Sequence, residues 1–99
     1  MNSTSAIALS GMNTAQTQLA AAAHNIANQS TQGFKRQTVR VAVVPEGGAK
    51  ATVATAPHAG SALETDVVGL LQAKHGFMAN LAVFKAQDRM LGALLDARG

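Results

Sequence analysis

The 99-residue chain lacks several residue types on which particular classes of protein depend. It contains no cysteine, so disulfide bonds and thiolate metal sites are excluded. It contains no tryptophan or tyrosine and only three phenylalanines, which leaves little to stack on nucleic acid bases. From Met1 to Phe34 there is no Asp, Glu, Lys or Arg. A helix in water normally carries charge on its outer face, so an uncharged helix is suited to being covered by other protein chains.

The charges that are present are sparse and mostly basic. The net charge is +3 and the sequence pI is about 10.0, a balance that on its own is typical of proteins that bind nucleic acid or anionic membranes. Only Lys35, Arg36 and Arg40 cluster, and the pattern as a whole favours solvated charges that aid solubility. A small basic nucleic-acid-binding protein therefore stays a minor hypothesis, and it predicts strongly salt-dependent DNA binding.

Neither a membrane span nor a secretory signal is predicted from the sequence. No apolar run reaches the length that a transmembrane helix needs. The N-terminus lacks a basic segment followed by a leucine-rich one, so a cleaved signal peptide is not expected. If the protein leaves the cytoplasm, we expect it to use another export route.

The chain is short enough to be a single domain over residues 1–99, and its first element is a predicted helix. Dense alanine favours a helix over residues 3–31. Positions at alternating steps of three and four residues form a heptad seam along one side of this helix. The seam has few large apolar residues, which are Leu9, Met12, Leu19 and Ile26. The polar turn that follows contains Gly33, which is able to adopt the positive φ that ends many helices.

The middle of the chain changes period from helical to alternating. Val39, Val41 and Val43 alternate with other residues, which predicts a strand. Pro45 to Gly48 then breaks it. We expect a short β-hairpin or an irregular insert over residues 37–56. Such a hairpin is only marginally stable in water unless it packs against the helices.

A long helix over residues 61–97 is the best-supported element. Its repeat of three and four residues is interrupted by Lys74 and Asp88 only, and its apolar members are Val67, Leu70, Phe77, Leu81, Phe84, Leu91 and Leu95. At 1.5 Å per residue it spans roughly 50 Å, a length natural for a coiled coil. The predicted fold is mainly α, an antiparallel two-helix coiled-coil hairpin. The antiparallel arrangement is expected because a short middle segment favours a second helix that runs back along the first. A parallel pair remains open, since about 25 extended residues could span the helix.

No arrangement of residues in the sequence indicates catalysis, a cofactor or a metal. His24, His58 and His75 have no second ligand-type residue at helical spacing, and zinc needs about four ligands. Nucleophile signatures and phosphate-binding glycine loops are absent. We therefore predict a protein that is not an enzyme and binds no small-molecule substrate.

Two blocks of the chain resemble the bacterial flagellar basal-body rod and hook axial proteins. The first is the family's A-x-N-I-A-N helix end followed by T-x-G-F-K-R, which here runs from Ala23 to Arg36. The second lies in the C-terminal helix, from Val67 to Leu91, and includes Ala79 and Asn80. In place of the family's usual Q-R-A-Y, this chain has Lys74 to Phe77. Its middle segment leaves no room for an outer domain, so it resembles a short, proximal-rod-like member.

The resemblance implies a structural subunit of the basal-body rod. Such proteins self-assemble into a helical tube through their N- and C-terminal helices. They span the periplasm and leave the cell through the flagellar type III apparatus without a cleaved signal. The implied partners are further copies and other axial proteins, with no nucleic acid. The motif positions expected near subunit contacts are Asn25, Ile26, Asn28, Thr31, Gly33, Phe34, Lys35, Arg36, Ala79 and Asn80. The alternative is a cytoplasmic helical adaptor or export chaperone of the same secretion system, which holds partner helices in a groove.

Overall fold

The computed structural model describes residues 3–98 and consists of two helices with a hairpin between them. The elements in chain order are α1 (Ser3–Ala27), β1 (Gln37–Val43), β2 (Ala49–Thr55) and α2 (Leu63–Arg98). The prediction of a mainly helical chain with two helices and a small antiparallel β-hairpin insert is confirmed. The molecule is elongated, with extents of 62 × 25 × 14 Å, because α2 is much longer than α1.

The first helix ends at Ala27 rather than at residue 31, because the polar residues after it form turns. Asn28 donates its backbone N–H to the His24 carbonyl at 3.1 Å, and its side-chain amide donates to the same oxygen at 2.9 Å. Gly33 has the predicted positive φ, at 73°. The chain thereby reverses, and the Phe34 ring packs on the His24 ring with centroids 5.3 Å apart.

The two helices pack antiparallel against each other. The Asn25 side chain of α1 bonds Asp66 of α2, and Gly11 of α1 lies against Asn80 of α2. These contacts are 14 residues apart on each helix (25 to 11, and 66 to 80). Position 3 of α1 therefore lies opposite position 88 of α2, and residues 89–98 of α2 extend beyond the described end of α1.

Small residues allow the helices to approach closely. The buried stripe of α1 beside Gly11 consists of Ser5, Ala8, Met12, Ala15 and Ala22. A Cβ added to Gly11 would lie 2.5 Å from Oδ1 of Asn80. The corresponding face of α2 recurs at positions 66, 70, 73, 77, 80, 84 and 87, each buried or half-buried. The core is accordingly built mainly from alanine.

The hairpin packs on a flank of α1 next to the one that faces α2, and within the described residues its strands pack against α1 and not against α2. Its strands pair in an antiparallel register that runs from Gln37 with Thr55 to Val43 with Ala49. The tight turn has positive φ at Gly47 and Gly48. Ser10 of α1 accepts a hydrogen bond from the Ala49 N–H at 3.1 Å, which holds the turn on the helix.

Candidate assembly surfaces and the polar junction

A buried polar junction joins α1, the start of β1 and the start of α2. Its centre is Asn25, which is 3% exposed. The Asn25 carbonyl oxygen accepts from the Gln37 N–H at 2.7 Å, and its amide donates to the Gln37 carbonyl at 2.9 Å. The side chain thus pairs with the first residue of β1 as a neighbouring strand would. The same amide donates to Oδ1 of Asp66 at 3.2 Å, so one residue ties the hairpin to both helices.

The second half of the junction is an ion pair between Arg36 and Asp66. Nε of Arg36 donates to Oδ2 of Asp66 at 3.1 Å, and Nη2 of Arg36 donates to Oδ1. The Asp66 residue is 5% exposed, so this is a bidentate, largely desolvated pair. Hydrogen bonding from Arg36 holds the pKa of Asp66 below its ordinary value, and the Asn25 amide acts in the same direction against burial. The same pairing raises the pKa of Arg36.

The outer face of α1, away from both α2 and the hairpin, is an uncharged surface. We call it the α1 outer stripe. Its members are all exposed and recur at steps of three and four residues: Ala6, Leu9, Asn13, Gln16, Ala20, Ala23 and Ala27. The isolated chain therefore exposes uncharged residues of the N-terminal segment along one face of α1. A stripe of uncharged residues at this spacing, four of them alanine, suits contact with another helix.

The long helix α2 also exposes many apolar side chains, which are distributed around the helix and do not form a single face. Exposed apolar side chains occur along its whole length: Leu63, Val67, Val68, Leu71, Met78, Val83, Met90, Leu91, Leu94 and Leu95. Scattered apolar residues on a surface need no explanation, but one helix that carries this many is typical of an interaction surface.

The predicted seam residues divide between the interior and the surface. In α1, Met12 is buried, Leu19 and Ile26 are half-buried and Leu9 is exposed. In α2, the half-buried ones are Leu70, Phe77, Leu81 and Phe84, whereas Val67, Leu91 and Leu95 are exposed. The pairing face contains Leu70, Phe77 and Phe84 of the predicted seam. Its other members include Asp66, Ala73 and Asn80, which apolar periodicity alone does not select. Asp66 lies in the first turn of α2, where acidic residues are common, so its position in the sequence gives no signal of a site.

The predicted motif residues likewise fall in different surroundings. Asn25 and Arg36 form the junction, and Phe34 packs on His24. Asn28 is half-buried at the end of α1 and accepts from the Thr31 hydroxyl at 3.1 Å. Those that are exposed are Thr31, Gly33, Lys35 and Ala79. Their roles in subunit contacts stay predictions, because the structure contains one chain.

The N-terminal block matches a known family. Residues 6–35, most of α1 and the turn after it, match the family model described as flagella basal body rod protein. The resemblance to the rod family is confirmed. No curated protein sequence matches the chain. The rod family is a family of structural flagellar components and not of enzymes, and the match supports a structural role in the flagellar basal body.

Two further features of the described residues concern metal binding and membrane contact. Among the described residues no group of three or more His, Cys, Asp or Glu could hold a metal ion. By length and composition, residues 63–97 of α2 do meet the criterion for a membrane-crossing helix, which corrects the expectation from the sequence. The core helix of a soluble protein meets the same criterion when it is mostly buried, whereas only 6% of this stretch is buried. The stretch carries Lys74, and a charge at the centre of a bilayer costs about 3 kcal/mol.

Proposed function

We propose that the chain is a structural subunit of the bacterial flagellar basal-body rod and assembles into a helical axial structure through α1 and α2. The match of residues 6–35 to the rod family is the observation that carries the proposal. The α1 outer stripe supports it, because this matched helix has one face packed inside the chain and another, free of charge, available to neighbours.

The proposed assembly uses both helices as coiled-coil partners. The apolar residues that stay exposed on α2 in the isolated chain would then be covered by neighbouring copies and by other axial proteins. Burial of apolar surface of this kind stabilises association by about 25 cal/mol per Å². We further propose that the chain is exported through the flagellar type III apparatus without a cleaved signal and resides in the periplasm-spanning rod.

Cell fractionation tests this proposal against a cytoplasmic adaptor or export chaperone. In cells that carry this gene, an axial subunit is expected in basal bodies that have been extracted with detergent and purified. Mass spectrometry of that fraction gives the measurement, with a cytosolic flagellar protein as the control for contamination. Recovery in the cytosol alone, bound to other secretion components, would favour the adaptor.

A further inference from the structure

A polar cleft lies between α1 and the outer edge of β2. Its volume is about 250 Å³. Its lining consists of Ser10, Asn13, Thr14 and Thr17 of α1 and residues 49–51 of β2. The cleft is separate from the polar junction, because the junction lies against β1 at the other edge of the hairpin.

Thr14 is the buried polar residue of this cleft and is 8% exposed. Its hydroxyl has no hydrogen-bond partner among the described residues, whereas the hydroxyls of Ser10 and Thr17 donate to carbonyls of α1. Among the described residues no side-chain oxygen is both sealed from solvent and without a partner, so the Thr14 hydroxyl opens on the cleft that the residue lines. Because buried polar groups are nearly always hydrogen-bonded, this hydroxyl indicates a partner from outside the chain.

The main chain of β2 presents an unpaired donor and acceptor at the same place. The hydrogen bond from the Ala56 N–H to the Arg36 carbonyl shows which residues bond across the hairpin. In this register the N–H and C=O of Ala51 point away from β1. Ala49 points the same way, and its N–H is held by the Ser10 hydroxyl. Those of Ala51 have no partner among the described residues and lie at the cleft.

The other edge of the hairpin shows which chemical group fits such a pair. There the Asn25 carboxamide accepts from the Gln37 N–H at 2.7 Å and donates to the Gln37 carbonyl at 2.9 Å. A primary carboxamide can do this because one of its N–H bonds lies on the same side as its oxygen. A carboxylate lacks the donor, and a trans peptide group directs its N–H and its oxygen in opposite directions. The two free groups of Ala51 therefore select a primary carboxamide.

We propose that the cleft binds the side-chain carboxamide of an asparagine or glutamine from a neighbouring chain, which pairs with Ala51 as Asn25 pairs with Gln37. The Thr14 hydroxyl supplies the third hydrogen bond. The cleft opens beside the α1 outer stripe, because Asn13 belongs to both, so a helix that covers the stripe brings its side chains to the cleft. The origin of the carboxamide in a neighbouring chain rests on the proposed function, whereas the chemistry of the cleft does not.

Propionamide is the probe, and its binding to the full chain is measured by ¹⁵N–¹H NMR titration up to roughly 0.5 M, since so small a ligand binds weakly. Saturable shifts are expected at the amide signals of Ala51 and Thr14. Propionate and N-methylpropionamide are the matched probes, because the first has no N–H and the second has its N–H on the side away from the oxygen. No saturable shift at Ala51 is expected with either. Equal shifts with all three probes, or none with propionamide, would overturn the proposal.

Thr14→Val removes the hydroxyl and nearly keeps the shape of the side chain. It is expected to weaken propionamide binding about threefold to tenfold. The thermal unfolding midpoint is expected to stay or rise, because the hydroxyl has no partner in the chain to lose. Thr4→Val is the matched control, an exposed threonine of the same helix outside the cleft, and is expected to leave binding within about twofold. Unchanged binding in Thr14→Val, or a midpoint lowered by more than about 4 °C, would overturn the role of the hydroxyl.

Recovery in purified basal bodies separates this site from the rod function. If the neighbouring chain supplies the carboxamide, Thr14→Val is expected to be recovered at a level at least about threefold below wild type. Equal recovery would overturn that source. A wild type that is recovered in basal bodies and binds no propionamide removes the site alone. A wild type that binds propionamide and is absent from basal bodies removes the rod function.

Discussion

At the scale of single residues, the closest approach of the helices rests on the absence of a side chain at Gly11. A methyl group there would lie 2.5 to 2.7 Å from all three end atoms of the Asn80 amide. That amide is held in place, because its nitrogen donates to the Gly76 carbonyl at 2.8 Å. Replacing Gly11 by alanine therefore tests whether the higher helix propensity of alanine or its steric clash with Asn80 has the larger effect on stability.

Gly11→Ala is expected to destabilise the chain by about 1 to 2 kcal/mol, although alanine is favoured over glycine in a helix by about 1 kcal/mol. In an Asn80→Ala background the clash is removed, and the same change is expected to stabilise by up to about 1 kcal/mol. Urea unfolding of the four chains of this double-mutant cycle gives the measurement. An equal effect of Gly11→Ala in both backgrounds would show that the contact with Asn80 carries no energy.

The ion pair at the polar junction makes stability depend on pH. Since the pKa of Asp66 is lowered in the folded chain, its contribution is present above the unfolded value of about 3.9 and is lost as the pH falls through the folded value. Asp66→Asn is expected to destabilise the chain at neutral pH by roughly 2 kcal/mol. The difference from wild type is expected to start shrinking below about pH 4, where the carboxyl of the unfolded chain takes up a proton, and to be lost only as the pH falls through the lower pKa of the folded chain.

The matched control for this pH dependence is Asp88→Asn, which changes an exposed aspartate of the same helix. Its stability difference from wild type is expected to stay within about 0.5 kcal/mol. Thermal unfolding followed by circular dichroism at several pH values measures both variants. A gap between Asp66→Asn and wild type that persists at low pH would contradict the assignment of the ion pair.

At the scale of elements, the hairpin depends on α1. A two-stranded sheet is marginal on its own, and within the described residues its strands contact no other element. Two side chains of α1 hold its ends: Asn25 at the start of β1 and Ser10 at the turn. The hairpin is therefore expected to open as a unit without separating the helices.

Asn25→Ala is expected to increase hydrogen exchange in β1 and β2, because it leaves the Gln37 N–H and carbonyl without the partners that the wild type provides. The cost of such losses is about 1 to 3 kcal/mol. Asn28→Ala is the matched control, since among the described residues Asn28 bonds only the end of α1 and the turn that follows it. Equal exchange of the strand amides in both variants would contradict the role of Asn25.

The sequence predicts the elements of this fold well because each has a local signal. Alanine density and heptad spacing predict the helices, alternation predicts β1, and glycine predicts the turn at Gly33. The contacts between elements have no such signal. Arg36 and Asp66 are 30 residues apart, and a helix N-terminus already accounts for an acidic residue at that place. Counting large apolar residues finds part of the pairing face but misses Asp66, Ala73 and Asn80. These positions become part of the face because the alanines and Gly11 of α1 let the helices approach closely.

At the scale of the whole molecule, the isolated chain is incomplete as a packed structure. Its buried core is mostly alanine, and none of the large side chains among the described residues is less than 2% exposed. Most large apolar residues of α2 lie on the surface. A core of this kind contributes little hydrophobic stabilisation, so the remaining stability is expected to come from neighbouring chains. This is the property that connects the fold to the proposed assembly in the rod.

The α1 outer stripe gives the most direct test of that account. Ala20→Glu places a charge in the middle of the stripe while the buried face and the hairpin contacts are kept. Ala86→Glu is the control, an exposed alanine on α2 beside Lys85, in a region that is already charged. Both variants are expected to fold as the wild type does when their helix content is compared by circular dichroism.

The deciding measurement is the amount of each chain in purified basal bodies from cells in which the wild-type copy has been replaced. The account predicts that wild type and Ala86→Glu are recovered at equal levels and that Ala20→Glu is reduced at least about tenfold, since a charge without a partner is poorly tolerated in a covered interface. Equal recovery of Ala20→Glu, or no recovery of the wild type, would contradict it.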